Sequence, residues 1–211
     1  MLTQPLLDKL TQLRLSAFRT ALEEQLHQPQ YAELPFEDRL SLLVDSECTH
    51  RDNSRLQRHL KAARLALPAT VEDLDLSPAR GLDRRVVLYL AQGEWIRQHL
   101  NILILGPTGA GKTFLACALG HAACRHDFKV RYERTSRLLQ QTALAHADGS
   151  YPKLLDTLAR IHVLVLDDWL RDPLTRSQSQ DLLEIMYDRY GRSLTLVATQ
   201  VPVAEWHARF P

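Results

Sequence analysis

The sequence predicts an α/β fold, a parallel sheet covered by helices and preceded by a small all-helical N-terminal domain, on three observations. From Leu6 to about Leu67 apolar residues recur at intervals of three and four, as in Leu6, Leu10, Leu13 and Ala17, without strand-like alternation. From Asn101 onward short aliphatic runs alternate with helical stretches, and strands joined by helical crossovers pair in parallel with cover on both faces. The first of these runs, Asn101–Leu105, opens into a glycine-rich segment followed by an apolar helix, FLACALGHAAC.

Taken along the chain, Pro29 and Pro35 bracket a break, and Pro35 suits the first turn of a second long helix ending before Pro68. The expected division is a helical domain over 1–67, a linker over 68–85 carrying Pro68, Pro78 and Gly81, and a core over 86–211. Val86–His99 reads as one helix leading into the core. Strands are expected at Asn101–Leu105, Val130–Glu133, Val163–Asp167 and Leu194–Ala198, with helices between them. No internal repeat or low-complexity tract interrupts this order.

With 211 residues and a formal net charge of +1, the chain is not globally basic, so any nucleic-acid surface must be a local patch. No apolar run reaches membrane-spanning length, and the opening TQPLLDKLTQL carries Asp8 and lacks a signal-peptide core, which predicts a cytoplasmic protein without a membrane partner. The three cysteines, Cys48, Cys117 and Cys124, show no metal-ligand spacing and read as free thiols, the latter two as small core residues.

The glycine-rich segment is GPTGAGKT, Gly106–Thr113, which satisfies the phosphate-loop pattern at every constrained position. Gly106, Gly109 and Gly111 let the backbone of Pro107, Thr108 and Ala110 curl so that successive N–H groups face phosphate oxygens. Lys112 supplies a positive charge over the outer phosphates, Thr113 a hydroxyl for a magnesium ion, and the following helix its positive dipole end. These residues predict a nucleoside triphosphate with Mg2+; together with the acids and Gln200 below, they predict ATP.

A hydrolytic site also needs acids at the end of a later buried strand. VLVLDD, Val163–Asp168, delivers Asp167 and Asp168 at the carboxyl edge, where ligands of parallel sheets bind. Asp167 is the magnesium partner of Thr113. Asp168 either polarises a water for attack on the terminal phosphate or merely opens a turn; beside the loop, the catalytic reading is favoured. Gln200, after Leu194–Ala198, either senses the terminal phosphate or is a turn residue before Pro202. Arg51, Arg55, Arg58 and Lys61 fall on one side of a helix, with Leu56, Leu60, Ala63 and Leu67 opposite. Such a stripe is either a DNA-backbone contact or an ordinary solvated face. Arg80, Arg84 and Arg85 form a second basic cluster.

GPTGAGKT, VLVLDDW, Asp188-Arg189-Tyr190 and LVATQVPVAEWH together resemble the IstB-like ATP-binding proteins, helper ATPases of insertion-sequence transposition. The resemblance is strongest from Leu74, through Gly81–Arg84, to His207. It implies an AAA+ ATPase fold related to DnaC-type helicase loaders, with the loop strand beside the sensor strand. It also implies a transposase partner, duplex DNA bound with little sequence preference, and an ATP-dependent homo-oligomer. By resemblance Lys112 and Thr113 are loop ligands, Asp167 the magnesium acid, Asp168 the catalytic carboxylate and Gln200 the first sensor. Arg189 takes either an intersubunit role or that of a helix-end charge on carbonyls near Tyr190.

Two departures accompany the resemblance. Leu170 stands where the family usually has glycine, and the sequence ends at Pro211 before the expected final strand and helical lid. On that basis the core is expected to be incomplete, with the loop strand at an exposed edge, marginal solubility, and slow or absent turnover. A helicase loader and a non-hydrolysing nucleotide-binding adaptor remain alternatives, while a small-molecule kinase has no use for the Asp-Asp pair and sensor strand.

Overall fold

A computed structural model describes residues 3–77 and 80–211; Met1 and Pro78 lie outside the described residues. Contacts divide the chain into two units, one ending at Gln57 and one starting at Arg58.

The first unit is helical. It contains α1 (Thr3–Gln12), α2 (Ser16–His27), a 3-10 turn at Pro29–Glu33 and most of α3 (Phe36–Ala63). Leu7, Leu10 and Leu43 are its buried apolar residues. Leu15 gives α2 no side-chain cap, and a carboxylate from α3 replaces it. Glu47 accepts from the backbone N–H groups of Ala17 and Phe18 at 3.0 and 3.1 Å. Arg51 Nε donates to the same carboxylate at 2.8 Å, and these bonds hold it below the usual carboxylate range.

In the second unit α3 ends at Ala63, Arg64 turns into positive φ (52°), and Leu67 is exposed beyond the helix. Leu67 therefore does not extend the apolar stripe expected from its spacing. The expected single helix Val86–His99 is two helices, α4 (Arg84–Ala91) and α5 (Glu94–Arg97). Gly93 separates them at φ 75°, and Trp95 folds back so that its indole N–H donates to Leu90 O at 2.8 Å. Helical periodicity survives such a break, which is why spacing did not reveal it.

Four strands follow: β1 (Ile102–Leu105), β2 (Val130–Arg134), β3 (Val163–Asp167) and β4 (Leu194–Thr199). Their helical connections are α6 (Lys112–Arg125), α7 (Thr135–Asp148), α8 (Tyr151–Ala159) and α9 (Arg176–Arg189). The sheet is parallel in the order β1-β4-β3-β2, with Leu105 beside Thr199 and Arg134 beside Asp167. Every residue of β3 is buried, as a strand covered on both faces requires. The strand order places β4 beside the loop strand β1, as the resemblance implied, and leaves β1 at one edge of the described sheet with Leu103 and Leu105 exposed. α6 is apolar almost all round and buried along most of its length, so Cys117 and Cys124 are core residues. Burial pushes the Cys124 thiol up to about 12, and all three cysteines are free.

Arg189 is buried at 2% exposure and donates to the carbonyls of Leu158, Ile161 and Leu194. Burial lowers its guanidinium to about 10, which still leaves it charged at neutral pH. It ties α8, α9 and β4 together inside the unit, so the intersubunit role gives way to the carbonyl-binding one. Among the described residues no helix is long and apolar enough to cross a membrane.

Candidate active site

The carboxyl ends of β1, β3 and β4 lie side by side, and the residues expected to do chemistry leave from those ends. β1 runs into the glycine loop, where Gly109 and Gly111 take φ values of 81° and 89°. Few L-residues with side chains adopt that curl, which leads directly into the N-terminus of α6. Gly106 N–H is fixed to Thr199 O at 3.3 Å, so the loop is pinned to the end of β4. Lys112 Nζ donates to Pro107 O at 2.8 Å and thus lies over the loop.

Asp167 closes the other side. Its carboxylate is 3% exposed and accepts the Thr113 hydroxyl on Oδ2 at 2.7 Å. The same oxygen accepts the Tyr132 hydroxyl at 2.7 Å, while Oδ1 accepts the Asp168 N–H at 2.9 Å. Thr135 binds the Asp167 carbonyl at 3.0 Å. Backbone and side chain of this acid are therefore both fixed from the end of β2. Burial, reinforced by the bond to Asp167, raises the Tyr132 phenol above its ordinary value, so it stays a protonated donor.

Asp168 sits at φ 53° with its side chain 41% exposed and its carboxylate 3.6 Å from the Arg171 guanidinium. Gln200 is exposed and accepts the Thr108 hydroxyl through Oε1. The structure thus brings Thr113 to Asp167 and Thr108 to Gln200, while Asp168 is turned toward its own loop. Among the described residues no group of three or more His, Cys, Asp and Glu side chains is disposed to hold a metal ion. A cation between Thr113 and Asp167 would need further oxygens, which phosphates and water supply in nucleotide sites.

Several residues here had no role at the loop in the sequence reading. A cavity of about 540 Å3 beside the loop is walled by Asp73, Asp75, Arg80, Leu82 and Phe114. The linker is therefore part of the site. Arg80 donates to Ala110 O at 3.3 Å from outside the loop. Tyr132 was hidden by reading as an ordinary buried strand residue, although a phenol in such a position needs a polar partner. The four candidate DNA contacts are exposed on α3. Arg51 is paired with Glu47 at 2.8 Å and Arg55 with Asp52 at 3.0 Å, both in the first unit, whereas Arg58 and Lys61 belong to the second.

The sequence model of the IstB-like ATP binding protein family matches residues 8–211. The chain belongs to that family. It is 48% identical over 203 residues to an ATP-binding protein of insertion sequence IS1162 from Pseudomonas fluorescens, covering 96% of this chain and 88% of the relative. An insertion-sequence ATP-binding protein of Sinorhizobium fredii is 43% identical, covering 98% of this chain and 84% of the relative. Among solved structures, AMPPCP-bound DnaA from Aquifex aeolicus aligns with a TM-score of 0.58 at 19% identity, over 69% of this chain and 48% of that one. The DnaC helicase loader aligns with a TM-score of 0.55 at 20% identity, over 66% of this chain and 82% of that one. At such identities the two structures speak to fold alone, and the fold of this IstB-like family member is the α/β AAA+ P-loop fold.

Proposed function

We propose that this IstB-like chain binds ATP with Mg2+ on Gly106–Thr113, hydrolyses it, and serves in the cytoplasm as an ATP-dependent helper of DNA transposition. In this reading it assembles as a homo-oligomer on duplex DNA and acts with a transposase. The observation that carries the chemical part is the 2.7 Å bond between the Thr113 hydroxyl and Asp167. It joins the start of α6 to the end of β3, which supports reading the two oxygens as cation ligands beside the glycine loop. The residues fit both groups: curled glycines and Lys112 for phosphate, Thr113 and a buried carboxylate for the cation. Bound Mg2+ would offset charge on the outer phosphates. Asp168, next in sequence, is the group that would orient and deprotonate water, and Gln200 the one that would contact the terminal phosphate.

The transposition reading is supported by relatives named for insertion sequences. A helicase-loader role shares the fold but not those names. A non-hydrolysing adaptor is favoured by one feature, the 3.6 Å approach of Asp168 to Arg171. Phosphate release measured with and without duplex DNA and transposase decides among them. Release stimulated by both supports the proposal; tight ATP binding without release under any condition supports the adaptor.

A further inference from the structure

We infer that Tyr132 is a positioning residue for the magnesium-holding carboxylate, setting the orientation of Asp167 through a hydrogen bond to Oδ2. The inference rests on the reading of Gly106–Thr113 and Asp167 as a site for ATP and Mg2+.

Tyr132 lies on β2, opposite Val165 in the register of β3, and is 6% exposed. At such a position a phenylalanine would fill the same space without bringing a polar atom into the core, where an unpaired hydroxyl is unfavourable. The hydroxyl has a partner, Asp167 Oδ2, at 2.7 Å. Thr113 is the other donor to that oxygen, also at 2.7 Å. Thr113 is itself an expected ligand of the cation, so of the two donors Tyr132 is the one whose bond does not compete with metal binding. The remaining oxygen is held by the Asp168 N–H at 2.9 Å. Together Tyr132 and the Asp168 N–H fix the carboxylate plane from both oxygens.

The chemistry of the donor matters as well as its place. A lysine or arginine reaching the same oxygen would cancel the negative charge a divalent cation requires. A neutral phenol orients the carboxylate and leaves that charge intact. Thr135 does the matching work on the backbone, donating to the Asp167 carbonyl at 3.0 Å.

The test is Tyr132→Phe in the whole chain, with binding of a fluorescent ATP analogue followed in EDTA and across a Mg2+ titration. The Mg2+ concentration giving half of the magnesium-dependent gain in affinity should rise roughly tenfold, while affinity in EDTA changes less than about twofold. In an Asp167→Asn background Tyr132→Phe should produce no further shift. An unchanged magnesium midpoint overturns the inference, as does an equal loss of affinity in EDTA, which would mark a packing role. A Phe variant that fails to fold also overturns it, since the hydroxyl would then be supporting the core. If the parent chain binds no ATP, or binds it indifferently to Mg2+, the reading of the loop fails and this inference with it.

Discussion

Leu170 sits at φ 53° with its side chain only 1% exposed, packed in the cluster that includes Leu138, Leu166, Leu182 and Ile185. The first fact makes this a place where glycine would be unstrained, and the second gives leucine a packing role that glycine could not fill. Left-handed backbone costs a residue with a Cβ about 1–2 kcal/mol, whereas truncating a buried leucine costs about 3–5 kcal/mol. Burial wins. Leu170→Gly should therefore lower stability by about 2 kcal/mol despite relieving strain, read as a lower midpoint in urea unfolding; an unchanged or higher midpoint would contradict this. The neighbouring Asp168 also sits in the left-handed region, at φ 53°, which aspartate tolerates better than leucine. Asp168→Asn should reduce phosphate release at least about a hundredfold with ATP affinity altered less than about threefold, measured by single-turnover hydrolysis beside direct binding. Loss of binding instead would make Asp168 a loop residue. The loop residues and both acids were legible as candidates because glycine, lysine, threonine and aspartate at that spacing each do something few other residues could. The sequence was silent on Tyr132 and offered Arg80 only as part of a basic cluster, because their bonds to Asp167 and to Ala110 O form only when β2 and the segment before α4 are folded against the loop.

At the scale of elements, legibility followed burial. VLVLD was readable as a strand because both of its faces are covered, and the apolar helix after the loop for the same reason. The break between α4 and α5 was not, because one left-handed glycine ends a helix without disturbing the apolar spacing around it. α2 illustrates a cap that no local sequence could disclose. Its N-terminal N–H groups are satisfied by Glu47, about thirty residues away, which also accepts from Arg51. Replacing Glu47 with Ala should cost about 1 kcal/mol and selectively loosen the helical unit, visible as faster amide exchange at Ala17 and Phe18. Because the folded-state carboxyl is held below its ordinary value of 4.5, its contribution is complete above that pH. It is lost as pH falls through the lowered folded value. The difference between parent and Glu47→Ala should thus shrink on acidification below about pH 4.5; a difference that grew there would show the carboxylate to be destabilising. Arg51 takes part in this cap, so an Arg51→Ala loss of DNA binding needs an accompanying exchange measurement before it is read as a lost phosphate contact.

For the molecule as a whole, the strand order is the feature with the widest consequences. Placing β4 between β1 and β3 aligns the loop, Asp167 and Gln200 along one edge, and it leaves β1 paired on one side only in the described sheet. Alternation along β1 gives half-buried Ile102 and Ile104 and exposed Leu103 and Leu105, at 44% and 51% exposure. Two leucines on one face of an edge strand, with a row of backbone groups facing outward, are a template for pairing with another chain. Residues 101–211 alone would have yielded this expectation only through the resemblance, since strand order is not written in the period of a sequence. A charge at the edge tests it directly. Leu103→Lys should raise the protein concentration at which light scattering appears, because an edge lysine must be desolvated before a second strand can dock. The substituted side chain is already largely in water, so unfolding midpoints should move by less than about 0.5 kcal/mol. The loop leaves β1 two residues later, with Gly106 still bonded to Thr199, and ATP affinity should be retained. Scattering that begins at the same concentration as in the parent would place association elsewhere on the surface. A large fall in stability would instead mean that Leu103 packs more closely than its exposure implies.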